Sequence, residues 1–351
     1  MSFGFAAIFG NVPGFMANLL TILKGMAITA GAVFGGIALA WSGGALYYDL
    51  PASAGVRTAV ALLWVAGCPA VLICRRLDWR ALAGAGAVFA AILGWWLTLT
   101  PSQDRDWKPE MSQPAWAEVE GDTVRVYNVR NNHFRTADDF DLRYETRTYS
   151  LSQLRGLDVI QTYWGAEYMA HPLLSFDFGP QGRLVFSIEA RYEKGEAYDP
   201  IGGLYRRFEL MIVTADERDV IRLRTNIRPG EDCYLYSLKL PPEMIRRRFL
   251  DYMAALNRLR ERPEWYNSLT QNCTTSIRGL INPDERAAWD WRMLANGYID
   301  RMFYERGILD TSLPFDELKK RAYINARGKA AGDSPDYSEQ IRRQSGDPGM
   351  R

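Results

Sequence analysis

The stretches 25–41, 58–74 and 81–100 of this chain contain no charged residue. Crossing the hydrocarbon core of a bilayer takes roughly 20 apolar residues of helix, because only hydrogen bonds within the segment satisfy the backbone there. With their flanks, the runs read as spans over about 20–42, 58–74 and 81–100. Glycine and alanine recur in them, with Gly31 and Gly35 four apart, which suits close helix packing in lipid. The second run is short and holds Pro69, so a buried core helix is its alternative reading.

Basic residues set the expected orientation. Arg75, Arg76 and Arg80 cluster between the second and third runs, and Lys24 precedes the first. The opposite loop, YYDLPASAGVR, carries only Arg57 against Asp49. Short loops rich in Lys and Arg stay in the cytoplasm. The N-terminus is then cytoplasmic, Trp95 and Trp96 form an interfacial aromatic pair, and the rest of the chain emerges outside. This predicts an anchor in a bacterial inner (cytoplasmic) membrane carrying a periplasmic domain. A cleaved signal peptide fits badly, since no basic region opens the chain and two more spans follow.

The remainder reads as α+β. Residues 101–118 are polar and proline-bearing and read as a linker; 119–326 read as the folded domain. Residues 327–351 are small, polar and charged, and read as a flexible tail. Strand character marks VRVYNV (124–129), LRYETRTY (142–149), FELMIVT (208–214) and DCYLYSL (232–238). HPLLSFDF (171–178), GPQG and RLVFSIEARY (183–192) make the clearest hairpin. Ile245, Phe249, Met253 and Leu256 recur at helical spacing and predict a helix over 241–260. With 42 basic against 41 acidic residues, nothing points to a nucleic-acid partner.

Chemistry narrows to one cysteine and a choice of histidine. Cys68 and Cys74 fall in the apolar runs, leaving Cys233 as the only outside partner for a bridge to Cys273. The two histidines, His133 and His171, lack any metal-ligand spacing, and no phosphate-binding glycine loop occurs. No metal or cofactor is expected. In LTQNCTTSIRGL, Asn272 is a good N-cap for a helix opening at Cys273. A thiol there faces the positive end of the helix dipole, which favours thiolate. Free N–H groups of that first turn, with Thr274, would face a developing oxyanion.

His133 lies in the polar loop VRNNHFRT, where a solvated histidine is the ordinary outcome. Around His171 the pleat can be read. His171, Leu173, Ser175 and Asp177 share one face of their strand, and Ser187, Glu189, Arg191 and Glu193 share one face of the next. Matching apolar face to apolar face sets His171 opposite Glu189, flanked by Arg191. A carboxylate there would orient the imidazole and stabilise its charged form, with Ser175 or a backbone carbonyl next in line for that role. The alternative is an ion-pair face on a half-exposed sheet.

HPLLSFDFG, SIEARYEKGEAY, ADERDVIRLRTN and WYNSLTQNCTT together resemble the Lnb N-terminal periplasmic domain family, from about residue 124 onward. The resemblance implies a permuted papain-like (NlpC-like) fold with a Cys-bearing helix on a central antiparallel sheet. It implies Cys273 as nucleophile and His171 as base, with Glu189 and Arg191 in the family's acidic–basic block. It also implies transfer of a fatty acyl chain from membrane phospholipid to the N-terminal amine of a lipoprotein. In the family's acyltransferase the soluble domain precedes a larger membrane bundle, whereas here three spans come first. The arginine-rich IRRR (245–248) would suit anionic headgroups, or form the solvated face of an amphipathic helix. Two other functions fit the same residues: an NlpC-like peptidoglycan amidase or peptidase, and a catalytically silent envelope-binding protein.

Overall fold

The structure, a computed structural model, describes residues 12–282, 286 and 288–343. It divides into two compact units, 1–100 and 101–351. The first holds α1 (Val12–Asp49), α2 (Ala54–Cys74) and α3 (Trp79–Thr98), each long and apolar enough to cross a membrane. At about 1.5 Å per residue, the 38 residues of α1 exceed a roughly 30 Å hydrocarbon core. The close helix approach is at Gly43, where a Cβ would collide with Val65; Gly31 and Gly35 face nothing. Polar side chains are paired within the bundle. Trp64 Nε1 donates to Ser42 Oγ at 2.7 Å, and Trp96 Nε1 to Asp49 Oδ2 at 2.7 Å. The arginine-rich α2–α3 turn is tight, with Asp78 capping α3 by accepting from the Ala81 N–H at 2.8 Å.

The second unit is α+β, built on a sheet of β1 (Trp116–Glu120), β2 (Thr123–Arg130), β5 (Tyr144–Ser150), β6 (Gly156–Trp164), β7 (Ala170–Asp177), β8 (Arg183–Arg191), β9 (Glu209–Ala215) and β10 (Glu231–Ser237). A small pair, β3 (His133–Phe134) and β4 (Phe140–Asp141), lies apart from it, and the described helices of this unit are α4 (Glu217–Arg222), α5 (Pro242–Glu261), α6 (Cys273–Leu280), α7 (Ile299–Glu305), α8 (Phe315–Ala322), α9 (Asn325–Ala331) and α10 (Tyr337–Gln340). The strand order is β1-β2-β9-β8-β7-β6-β10, with β5 on β2. Pairing is antiparallel except where Arg130 meets Ala215 between β2 and β9.

Alternation along the strands divides the apolar residues between two faces. Leu174, Phe176, Phe186 and Ile188 join Phe249, Tyr252, Met253 and Leu256 of α5 (Pro242–Glu261). Phe249 stands edge-on to Phe176, Phe178 and Phe186, at 5.3, 5.0 and 6.2 Å between ring centroids. Leu173, Val185, Met211, Val213 and Cys233 of the other face cluster with Tyr337 and Ile341.

Two expected boundaries change. Residues 101–118 are bound to the sheet: Trp107 is buried with the Arg191 guanidinium 4.0 Å from its ring, and Lys108 N donates to Tyr192 O at 3.1 Å. The expected tail is also docked, through α9 (Asn325–Ala331) and α10 (Tyr337–Gln340). Tyr337 and Ile341 fill the second core, and Arg342 reaches Asp158 at 2.7 Å and Glu217 at 2.6 Å. Residues 344–351 of that tail lie outside the described residues.

Candidate active site

α6 (Cys273–Leu280) begins at the cysteine because Asn272 caps it. Asn272 Oδ1 accepts from the N–H groups of Thr274 (3.0 Å) and Thr275 (2.9 Å), and its own N–H donates to Thr275 Oγ1 at 3.0 Å. This capping box occupies two donors that sequence reasoning left free for an oxyanion. The first-turn donor left over is the N–H of Cys273 itself. A second donor comes from a short 3-10 turn, Asn296–Tyr298. Asn296 Nδ2 lies 3.0 Å from Thr274 Oγ1 and 3.6 Å from Cys273 Sγ. Asn296 is fixed in turn by its Oδ1, which accepts from Ala170 N at 2.8 Å, and by its backbone O, which accepts from Gln161 Nε2 at 2.6 Å.

The β7–β8 register runs Leu174↔Phe186 and ends at Leu173↔Ser187, two residues short of His171 and Glu189, whose side chains meet just beyond the paired stretch. His171 Nε2 is 2.7 Å from Ser187 Oγ and 3.2 Å from Glu189 Oε1, and Ser187 Oγ donates to that same oxygen at 2.6 Å. Cys273 and His171 line the same cavity, close enough for the thiol to act on the imidazole. Burial alone would lower the His171 pKa, but Glu189 and Cys273 outweigh it and raise it to about 9. Burial would likewise raise Glu189, yet His171 and Arg224 hold its carboxyl well below the usual carboxylate range. Arg224 reaches Glu189 and Glu231 at 3.2 Å each.

Of the sequence candidates, Cys273, His171, Glu189, Asn272 and Thr274 come together. Arg191 does not. It is drawn to Met111 O (2.9 Å), Ser112 O (3.0 Å) and Gln103 Oε1 (2.6 Å), holding residues 101–118 to the sheet. Ser175 donates to Glu217 Oε1 at 2.6 Å, in the network that anchors Arg342, and the hydroxyl at His171 is Ser187. His133 pairs with Asp333 at 3.2 Å, outside the site. Cys233 and Cys273 are both free thiols and belong to different cores.

Sequence reasoning missed Ser187, Arg224 and Asn296. Ser187 shares a strand face with Glu189, which was the available signal. Arg224 lies in a π-helical turn, Leu223–Ile227, a local widening frequent at functional sites.

Cys273 lines one cavity, and the adjacent Thr274 lines a second. One, about 320 Å³, is lined by Cys273, His171, Glu189, Asn272, Arg224 and Trp164 among others. The other, about 600 Å³, is largely apolar and is lined by Thr274, Ile277, Pro172, Leu174, Met302 and Phe303 among others. Among the described residues no group of three or more His, Cys, Asp or Glu side chains could hold a metal. A thiol against an imidazole, itself against a carboxylate, can lose its proton to the ring and attack an acyl carbonyl. The Cys273 N–H and the Asn296 amide then stand where an oxyanion would form.

No curated protein and no solved structure matches the chain. One family model matches, the Lnb N-terminal periplasmic domain, over residues 140–297. That stretch runs from β4 through Asn296 and includes His171, Glu189, Arg224 and Cys273. Residues 140–297 thus match the Lnb N-terminal periplasmic domain family, in a chain that also carries three helices long and apolar enough to cross a membrane.

Proposed function

We propose that the protein is a cysteine acyltransferase that moves a fatty acyl chain from a phospholipid to an amine, most simply the N-terminal amine of a lipoprotein. The observation that carries this reading is the position of Cys273, which shares a cavity with His171 while the adjacent Thr274 lines an apolar cavity of about 600 Å³. A peptidoglycan amidase needs an open polar groove for its substrate, whereas a fatty chain gains about 0.8 kcal/mol for each CH₂ it buries. On this reading the domain is a permuted papain-like fold, with its histidine strand ahead of its cysteine helix.

The reaction runs in two halves. The Cys273 thiolate attacks the ester carbonyl, and the oxyanion is met by the Cys273 N–H and Asn296 Nδ2. The tetrahedral species collapses as the His171 imidazolium gives its proton to the leaving alkoxide, releasing lysophospholipid and leaving a Cys273 thioester. The acceptor amine then attacks the thioester, His171 takes its proton, and the amide forms as the thiolate returns. Glu189 keeps the imidazole oriented and stabilises its charge throughout.

The cavity that Cys273 lines carries the charged groups Glu189, Arg224, Arg228 and Glu231 and also suits a peptide, so amide hydrolysis is the second reading. Incubation with phospholipid, with and without a lipopeptide amine, separates them. Lysophospholipid release that needs Cys273 and His171 and rises with the amine supports acyl transfer. Cleavage of peptidoglycan peptides with no lipid turnover would replace it. The reading places the domain on the periplasmic side of an inner membrane, with the N-terminus cytoplasmic. A reporter active only outside the cytoplasm should then work after Thr100 and fail at Asp78; the reverse pattern would overturn that orientation.

A further inference from the structure

We propose that the rim of the Cys273 cavity docks into a lipid surface, the interface of a bilayer, by inserting Trp289, Trp291 and Tyr168. The inference concerns this surface and holds for either reaction of Cys273. Around residues 289–292 the usual order of burial is inverted. Asp290 and Arg292 pair at 2.8 Å with side chains only 14% and 16% exposed. Trp289 and Trp291, which alternate with them, are 63% and 57% exposed. Water alone favours the opposite arrangement, since apolar surface left in it forgoes about 25 cal/mol per Å². Tyr168, Met169 and Leu294 are exposed as well. The two segments form one surface: Gly297 N donates to Tyr168 O at 3.1 Å, and the Trp291 and Tyr298 rings stand 5.8 Å apart. Met169 and Leu294 also line the Cys273 cavity, as does the exposed Tyr198 from the β8–β9 connection.

Strand register sets this rim at one end of the sheet. Tyr163 pairs with Ala170, Trp164 with Glu231 and Arg191 with Glu209, so the β6–β7 and β8–β9 connections leave from the same end. The chain enters the second unit there too. Leu99, Thr100 and Pro101 separate the end of α3 from Ser102, whose N–H donates to Glu209 Oε1 at 3.4 Å. Gln103 Oε1 then accepts from Arg191 at 2.6 Å. The sheet end that carries the cavity is thus tethered by three residues to a helix long and apolar enough to cross a membrane. That continuity favours a bilayer over a soluble partner. Trp and Tyr suit its boundary, because the ring enters the acyl region while the N–H or O–H stays with the headgroups. Amphipathic surfaces settle about 5–10 Å into that boundary.

The test uses the full-length protein reconstituted in phosphatidylcholine vesicles whose acyl chains are ordinary or brominated near the ester end, since bromine quenches a tryptophan only on contact. The readout is the difference in emission between the wild type and Trp291→Phe, which isolates that ring from the other tryptophans. The difference should be present in ordinary lipid and mostly lost in brominated lipid. The difference for Trp107→Phe, a buried ring, should be the same in both. Tyr168→Trp gives a second measurement that does not depend on the folding of Trp291→Phe, and it should add emission that brominated lipid removes. Quenching at either position supports the docking. Emission differences equal in the two lipids at both positions would overturn it, and a shift of that emission by a soluble peptide acceptor would then give the surface to the acceptor.

Discussion

Glu189 Oε1 lies 3.2 Å from Nε2 of His171 on the adjacent strand, and the Ser187 hydroxyl bridges the pair. This contact opposes the effect of burial and raises the His171 pKa to about 9. A histidine raised on folding contributes stability that is complete below its unfolded pKa, near 6.5, and is lost as pH rises through about 9. Glu189→Gln should move the imidazole midpoint, followed by NMR, down from about 9 and remove that alkaline loss of thermal stability. It should also slow acyl-enzyme formation, within the roughly 10²–10⁴-fold that general acid–base catalysis supplies. An unmoved midpoint would transfer the orienting role to Ser187 alone.

The two thiols of the second unit should differ in reactivity. Burial pushes the Cys233 thiol up to about 12, and it lies 3.5 Å from Thr162 Oγ1 inside the second core. Cys273 opens onto a cavity. Alkylation of the native protein at neutral pH, read by peptide mass, should label Cys273 and leave Cys233 unlabelled. A Cys233–Cys273 disulfide in the folded protein would contradict the account.

Asn296 should matter to rate more than to binding. Removing one oxyanion donor costs about 10²–10³ in kcat, so Asn296→Ala should lower turnover by that order with KM little changed. Asn296 also holds Ala170 N at the start of β7, so the far-UV and thermal profile should be checked alongside. A raised KM with unchanged kcat would make Asn296 a substrate-positioning group.

The C-terminal segment should be part of the folding unit. Truncation after Asp336 removes Tyr337 and Ile341 from the core and leaves Asp158 and Glu217 without Arg342. Removing one partner of a buried ion pair typically costs about 3–5 kcal/mol. The thermal midpoint should fall by many degrees, and an unchanged midpoint would mean that the segment only rests on the sheet.

The hairpin was legible because its signal is local. Alternation along HPLLSFDF and RLVFSIEARY admits one register that buries Leu174 against Phe186, and its continuation brings the His171 side chain to Glu189. The N-cap at Asn272 was legible for the same reason, since its partners lie two and three residues away. What failed depended on distant pairs. Arg191 shares a face with Glu189, but Gln103, 88 residues earlier, and the Trp107 ring claim it. The tail looked polar because its few apolar residues, Tyr337 and Ile341, stand among charges whose partners are far off. Arg342 meets Asp158 at a separation of 184 residues and Glu217 at 125. Asn296 reaches Cys273 from a one-turn 3-10 helix too short to carry a periodic signal.

Intact and peptide-level mass spectrometry of the purified protein, trapped with phospholipid in the absence of an acceptor amine, tests the central claim most directly. The account predicts a mass increase of one acyl chain on Cys273, discharged by hydroxylamine or an added amine, and absent in Cys273→Ala and His171→Ala. An unmodified Cys273 in folded protein that still alkylates at that thiol, or an acyl group on any other residue, would contradict it.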